Sequence, residues 1–140
     1  MLTDTHQDFL AKYAEPDMNY TSEDAPLVHP NTSPDLLTKI FDTEDNGENA
    51  VRHRNAPVEL LHKAMNSEWS YLRGLALSHH KATPDILRQG IKDPDWMNRY
   101  KSLVHEKTPD DVVKAGLKDH DAIIANCADR ISTERILKGK

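Results

Sequence analysis

At 140 residues, with 29% charged and 37% apolar side chains, the chain suits one domain able to bury a core and falls among soluble globular proteins with a rather polar surface. Its apolar runs are only a few residues long, so no membrane span is predicted; a single cysteine, Cys127, excludes an internal disulfide and any multi-cysteine zinc or iron–sulfur site built by this chain alone. The net charge of −5 is unevenly spread, with 2 basic and 11 acidic residues in 1–50 against 16 basic and 12 acidic in 51–140.

The opening MLTDTHQDFLAKYAE lacks the apolar core of a signal peptide, so a cytoplasmic protein is expected. Thr5 to Ala14 places Phe9, Leu10 and Tyr13 on one side of a predicted short helix, and Glu15 to Asn31 reads as an acidic, proline-bearing connector. Ala25-Pro-Leu-Val-His within it looks like the remnant of a repeat. We therefore divide the chain into 1–25, an N-terminal helix and acidic connector, and 26–140, a repeat region.

The repeat is visible in five apolar pairs: Leu36-Leu37, Leu60-Leu61, Ile86-Leu87, Val112-Val113 and Ile136-Leu137, at steps of 24, 26, 26 and 24 residues. Four residues after the first member of each of the first four pairs stand Ile40-Phe41, Ala64-Met65, Gly90-Ile91 and Gly116-Leu117, which is helical spacing. Pro34, Pro57, Pro84 and Pro109 precede these helices, and Ser33, Thr83 and Thr108 offer hydroxyls as caps. Thr43, Ser67, Asp93 and Asp119 then mark the predicted start of a second helix in each unit, with Pro94 at a first helical position. The second helix ends near Leu27, Val51, Leu77, Leu103 and Cys127, each two residues before a fixed polar position: His29, His53, His79, His105 and finally Asp129. The fifth unit stops after its pair and is expected to cap the array.

The stretches HPNTSPDLL, SHHKATPDIL and HEKTPDDVV, each closing one unit and opening the next, resemble the leucine-rich repeat variant family, over roughly residues 26 to 140. The resemblance implies an all-α, right-handed α-solenoid of about four and a half two-helix repeats of 24–26 residues, some helices being 3₁₀. The cysteine cluster of family members that carry an iron–sulfur module has no counterpart here, and no cofactor is expected.

The histidine row is the most conspicuous candidate for chemistry. Stacked helices lie about 8–10 Å apart, whereas zinc takes nitrogen donors at about 2 Å, so row neighbours cannot share one ion. His29, His53, His79, His105 and Asp129 are instead expected to form a structural ladder that hydrogen-bonds the turns between units. Asp93 with Asp95 and Asp119 with Asp121 are read as helix caps, and Cys127 as core. No G-x-S-x-G elbow or glycine-rich phosphate loop occurs, so no catalytic or metal-binding residue is assigned and no enzyme is expected.

Arginine and aromatic side chains on the second helices are the remaining candidates, because these types dominate binding hot spots. We expect a partner surface at Arg52, Trp69, Tyr71, Arg73, Trp96, Arg99 and Tyr100. The alternative is that the tryptophans pack between units while the arginines pair with Asp93 or Glu68. The expected function is a non-catalytic scaffold for a protein partner. Nucleic-acid binding by the basic region is the second reading, and a helical-repeat enzyme acting on nucleic acid a third.

Overall fold

A computed structural model describes residues 31–43 and 47–139. The predicted N-terminal helix, the connector up to residue 30 and His29 lie outside the described residues. Among those described, every regular element is a helix: α1 (Pro34–Thr43), α2 (Gly47–Arg52), α3 (Val58–Met65), α4 (Ser70–Ser78), α5 (Pro84–Gly90), α6 (Trp96–Val104), α7 (Asp110–Leu117) and α8 (Ala122–Lys138). None is long and apolar enough to cross a membrane. The chain divides into two compact units, Met1–Leu60 and Leu61–Lys140.

In the first unit α1 packs on α2. The Ser33 hydroxyl accepts the Leu36 amide at 3.2 Å and Pro34 fills the first helical position, so the expected capping opens the helix. Leu37, Ile40, Ala50, Val51 and Ala56 are buried. Their spacing of three to four residues along α1 is what turns one stripe inward. Leu36, by contrast, is only half-buried.

In the second unit like helices lie beside like: α4 against α6, α6 against α8 and α5 against α7. Each first helix also packs on the second helix that follows it, α5 on α6 and α7 on α8. Leu77, Ile86, Leu87, Leu103, Val112, Val113 and Ile124 form the apolar interior. Thr83 caps α5 by accepting the Ile86 amide at 3.3 Å. Thr108 does not cap α7: its hydroxyl donates to the Ser102 carbonyl at 2.5 Å, and Pro109 becomes the boundary residue without a side-chain cap bond. Burial of Thr108 explains the difference, since a buried hydroxyl is satisfied by the nearest orphan carbonyl, here in the last turn of α6.

Two further expectations are corrected. The second helices begin later than predicted, with boundary residues Trp69, Asp95 and Asp121 rather than Ser67, Asp93 and Asp119. The earlier residues instead close a short turn: Ser67, Asp93 and Asp119 accept the amides of Trp69, Asp95 and Asp121 at 3.0, 2.9 and 2.8 Å. Pro94 therefore sits in that turn and not inside α6.

The second correction concerns the end of the chain. α8 runs unbroken for 17 residues from Ala122 to Lys138, so no turn forms at Asp129 and no separate fifth unit folds. Between Cys127 and Ile136 the sequence carries neither proline nor glycine, and nothing stops the helix from propagating. Arg135 holds the extension down by donating to the Thr108 carbonyl at 2.6 Å and to Asp110 at 2.7 Å. Ile136 and Leu137, expected as a fifth interior pair, stay 60% and 70% exposed.

Close approach of the helices depends on missing side chains. A Cβ on Gly90 would lie 2.0 Å from the Ser102 hydroxyl and 2.3 Å from Leu77, and one on Gly116 would lie 2.9 Å from both Ala128 and Leu103. Gly90→Ala is accordingly expected to destabilise by about 1–3 kcal/mol despite the better helix propensity of alanine. Gly139→Ala, whose Cβ would meet no atom closer than 3.2 Å, is the control. A urea unfolding midpoint that rose in Gly90→Ala would refute the packing.

Candidate functional site: the leading edge of the second helices

The leading ends of α4, α6 and α8 carry the densest set of the residues singled out above. Each helix starts from a polar staircase. Asp93 accepts the Asp95 amide, and Asp95 accepts the Met97 amide at 2.9 Å; 26 residues on, Asp119 accepts the Asp121 amide, and Asp121 accepts the Ile123 amide at 2.9 Å. The carboxylate pairs thus serve the backbone of helix starts, where a negative charge is also favoured by the dipole.

The arginines lock these staircases together. Arg73 on α4 grips Asp93 with Nε at 2.7 Å and Nη2 at 3.2 Å, while its Nη1 donates to the Ser67 carbonyl at 2.9 Å. Arg99 on α6 repeats the grip one unit later, with Nε 2.8 Å from Asp119 and Nη1 2.8 Å from the Asp93 carbonyl and 3.1 Å from that of Pro94. Each guanidinium thus reaches a carboxylate 20 residues ahead and a carbonyl in the turn behind its own helix. The fork of five N–H donors makes arginine the residue suited to this geometry. Arg99 is only 6% exposed. The Asp93 bond raises the affinity of Arg73 for its proton, so the cation is held charged.

Between the staircases the Ser70 hydroxyl donates to Asp95, and the buried Asn98 amide donates to the Ser70 carbonyl at 3.0 Å. The bond from Ser70, then that from the Met97 amide, holds the Asp95 carboxyl below the usual carboxylate range. The sign follows: this stabilisation is complete above the ordinary aspartate pKa, about 3.9, and is lost as pH falls through the depressed value.

The other candidates divide by exposure. Trp69, Tyr71 and Trp96 face solvent, Tyr100 is half-buried, and Arg52 is exposed at the end of α2 in the first unit. The structure adds two residues that the aromatic and arginine search missed. Tyr71, Met97 and Ile123 each stand two residues after a helix boundary, 26 residues apart, and are 53%, 40% and 57% exposed. The repeat period alone, applied to Tyr71, would have found both.

The histidine ladder is built as a turn. Nδ1 of His53, His79 and His105 accepts the amide two residues on, from Asn55, Lys81 and Lys107, at 3.0, 3.1 and 3.0 Å. The carbonyl of each histidine accepts the amide three residues on, from Ala56, Ala82 and Thr108. Asp129, the expected last rung, sits exposed inside α8 instead, because that helix does not turn there. Cys127 is buried, with Arg130 3.9 Å from its sulfur. Among the described residues no group of three or more histidine, cysteine or acidic side chains converges as a metal site would require.

Breaking the Arg99–Asp119 grip should be costly because both side chains are less than a tenth exposed. Arg99→Ala is expected to destabilise by about 3–5 kcal/mol by stranding the buried carboxylate, and Arg99→Ala with Asp119→Ala by less than the sum of the single changes. Additive losses in urea titrations would contradict the coupling. Acid should act through Asp95: between pH 5 and pH 3 the wild-type midpoint should fall more than that of Asp95→Asn, and parallel falls would remove Asp95 as the cause. Comparison with known protein families, with characterised proteins and with solved structures finds no match for this chain.

Proposed function

We propose that the chain is a non-catalytic helical-repeat scaffold that binds a protein partner through its second helices, as a right-handed α-solenoid of two-helix units resembling the leucine-rich repeat variant family. The side-by-side order of α4, α6 and α8, together with the 26-residue period, supports the solenoid reading. One observation carries the binding reading: Tyr71, Met97 and Ile123 recur in register with their apolar surface in water, flanked by Trp69 and Trp96. Apolar and aromatic side chains concentrated in one exposed row are what protein interfaces use as anchors.

The arginines enter this reading differently from the way composition suggested. Arg73 and Arg99 set the spacing of the helices that present the row, while the row itself makes contact. Nucleic-acid binding is the weaker reading, since Arg73, Arg88, Arg99 and Arg135 each pair with a carboxylate and have less charge to offer a phosphate.

Met97→Asp with Ile123→Asp tests the proposal, because both side chains are exposed and their loss leaves the interior intact. A protein captured saturably by the wild type should bind the double variant at least about tenfold more weakly, with the helical circular dichroism unchanged. Equal affinity would discard the row as the contact surface. A nuclease-sensitive capture with a steep salt dependence would replace the protein-binding reading by the nucleic-acid one.

A further inference from the structure

We infer, resting on the protein-binding reading above, that the partner taken by the exposed row is an amphipathic helix whose apolar stripe carries one carboxylate, set to meet Lys101. Met97, Lys101 and Val104 follow one another at helical spacing along one face of α6, and Met97 and Val104 are 40% and 46% exposed. Lys101 therefore has an exposed apolar side chain one turn before it and another one turn after it. Its ammonium reaches across to α4, since a Cβ on Gly74 would lie 2.7 Å from the Lys101 Nζ. Gly74 falls between Tyr71 and Leu75, so the cation lies beside the turn of α4 that carries them.

No carboxylate among the described residues forms an ion pair with Lys101. Asp95, at the start of the same helix, accepts from the Ser70 hydroxyl and the Met97 amide instead. In the free protein water solvates the half-buried Lys101. A partner that covers Tyr71 and Met97 removes that water, and an ammonium desolvated without a counter-ion is strongly unfavourable. A wholly apolar partner is thereby rejected, and one that places a carboxylate at this point is selected. Tyr71, Met97 and Ile123 are the anchors of the row, and Lys101 is its specificity-determining residue.

The spacing of the row selects a helix as the partner. Packed helices such as α4, α6 and α8 lie about 8–10 Å apart, and residues seven apart on a helix lie about 10.5 Å apart along its axis. Anchors seven residues apart on a helix laid across the three thus reach Tyr71, Met97 and Ile123 in turn. Like-facing residues of a strand, about 6.7 Å apart, fall out of step after the first contact. A carboxylate midway between the first two anchors falls between the contacts to α4 and α6, where the Lys101 ammonium lies.

The probes are three labelled amphipathic helical peptides of about 18 residues, with leucine anchors seven residues apart and glutamate, leucine or lysine midway between the first two. Fluorescence anisotropy with the whole chain should show the glutamate peptide bound at least about tenfold more tightly than the lysine peptide. The net charge of −5 by itself favours the lysine peptide, so this preference has to arise locally. Lys101→Met should lose it and favour the leucine peptide, and Lys101→Glu should favour the lysine peptide, both with unchanged helical circular dichroism. A wild type indifferent to the midway residue, or a glutamate preference that survives both substitutions, would overturn the acidic partner. Met97→Asp with Ile123→Asp separates that failure from failure of the row. If this variant weakens all three peptides while the wild type shows no preference, the row stands and the carboxylate falls. If the wild type binds none of the three, or the double variant binds them equally well, both readings fall.

Discussion

Helices of six to ten residues cannot stand alone. An isolated helix that short is marginal in water, and one pair of them leaves much of its apolar stripe wet. Every described helix in this chain except α8 falls in that range. Stability must therefore come from neighbours, and the features that matter are those that fix the distance from one helix to the next. Gly90 and Gly116 set how closely they approach, with no atom to spare for a methyl group. The Arg73–Asp93 and Arg99–Asp119 grips set how far apart the helix starts lie.

The polar and apolar parts of the second unit work at different levels. Leu77, Ile86, Leu87, Leu103 and Val112 supply the driving force, which is strong but indifferent to register. The arginine forks and the histidine turns are directional, and each fits only one arrangement of its partners. Their desolvation makes them poor sources of net stability, yet a helix that slipped would leave a buried charge or carbonyl stranded. This division explains why Arg99, a type normally found at surfaces, stands almost fully covered and bonded to three groups. It also leaves Tyr71, Met97 and Ile123 in a fixed row at the surface, which is the arrangement a binding partner could read.

Much of this was legible in the order of residues. The histidine turns were readable because a two-residue and a three-residue hydrogen bond are local, so repetition of His with its neighbours reproduces the turn wherever it occurs. The Arg73–Asp93 pairing was one of two open alternatives, and Arg99 followed the same rule one unit later. The start of α4, α6 and α8 was misplaced by two residues because Ser67, Asp93 and Asp119 are good caps by type, and only geometry distinguishes a residue that caps a turn from one that caps a helix.

The period of 24 to 26 residues, the all-helical class and the junction turns were determined by the sequence itself, since each rests on hydrogen bonds and apolar spacing within a few residues. Tertiary structure alone decided why Thr108 turns inward and which of two chemically equal apolar positions is covered. Ile86 and Ile136 occupy like places in the repeat, yet one is buried and the other 60% exposed. Burial is a property of what lies alongside, and residues that do not yet have a neighbour carry no local sign of lacking one.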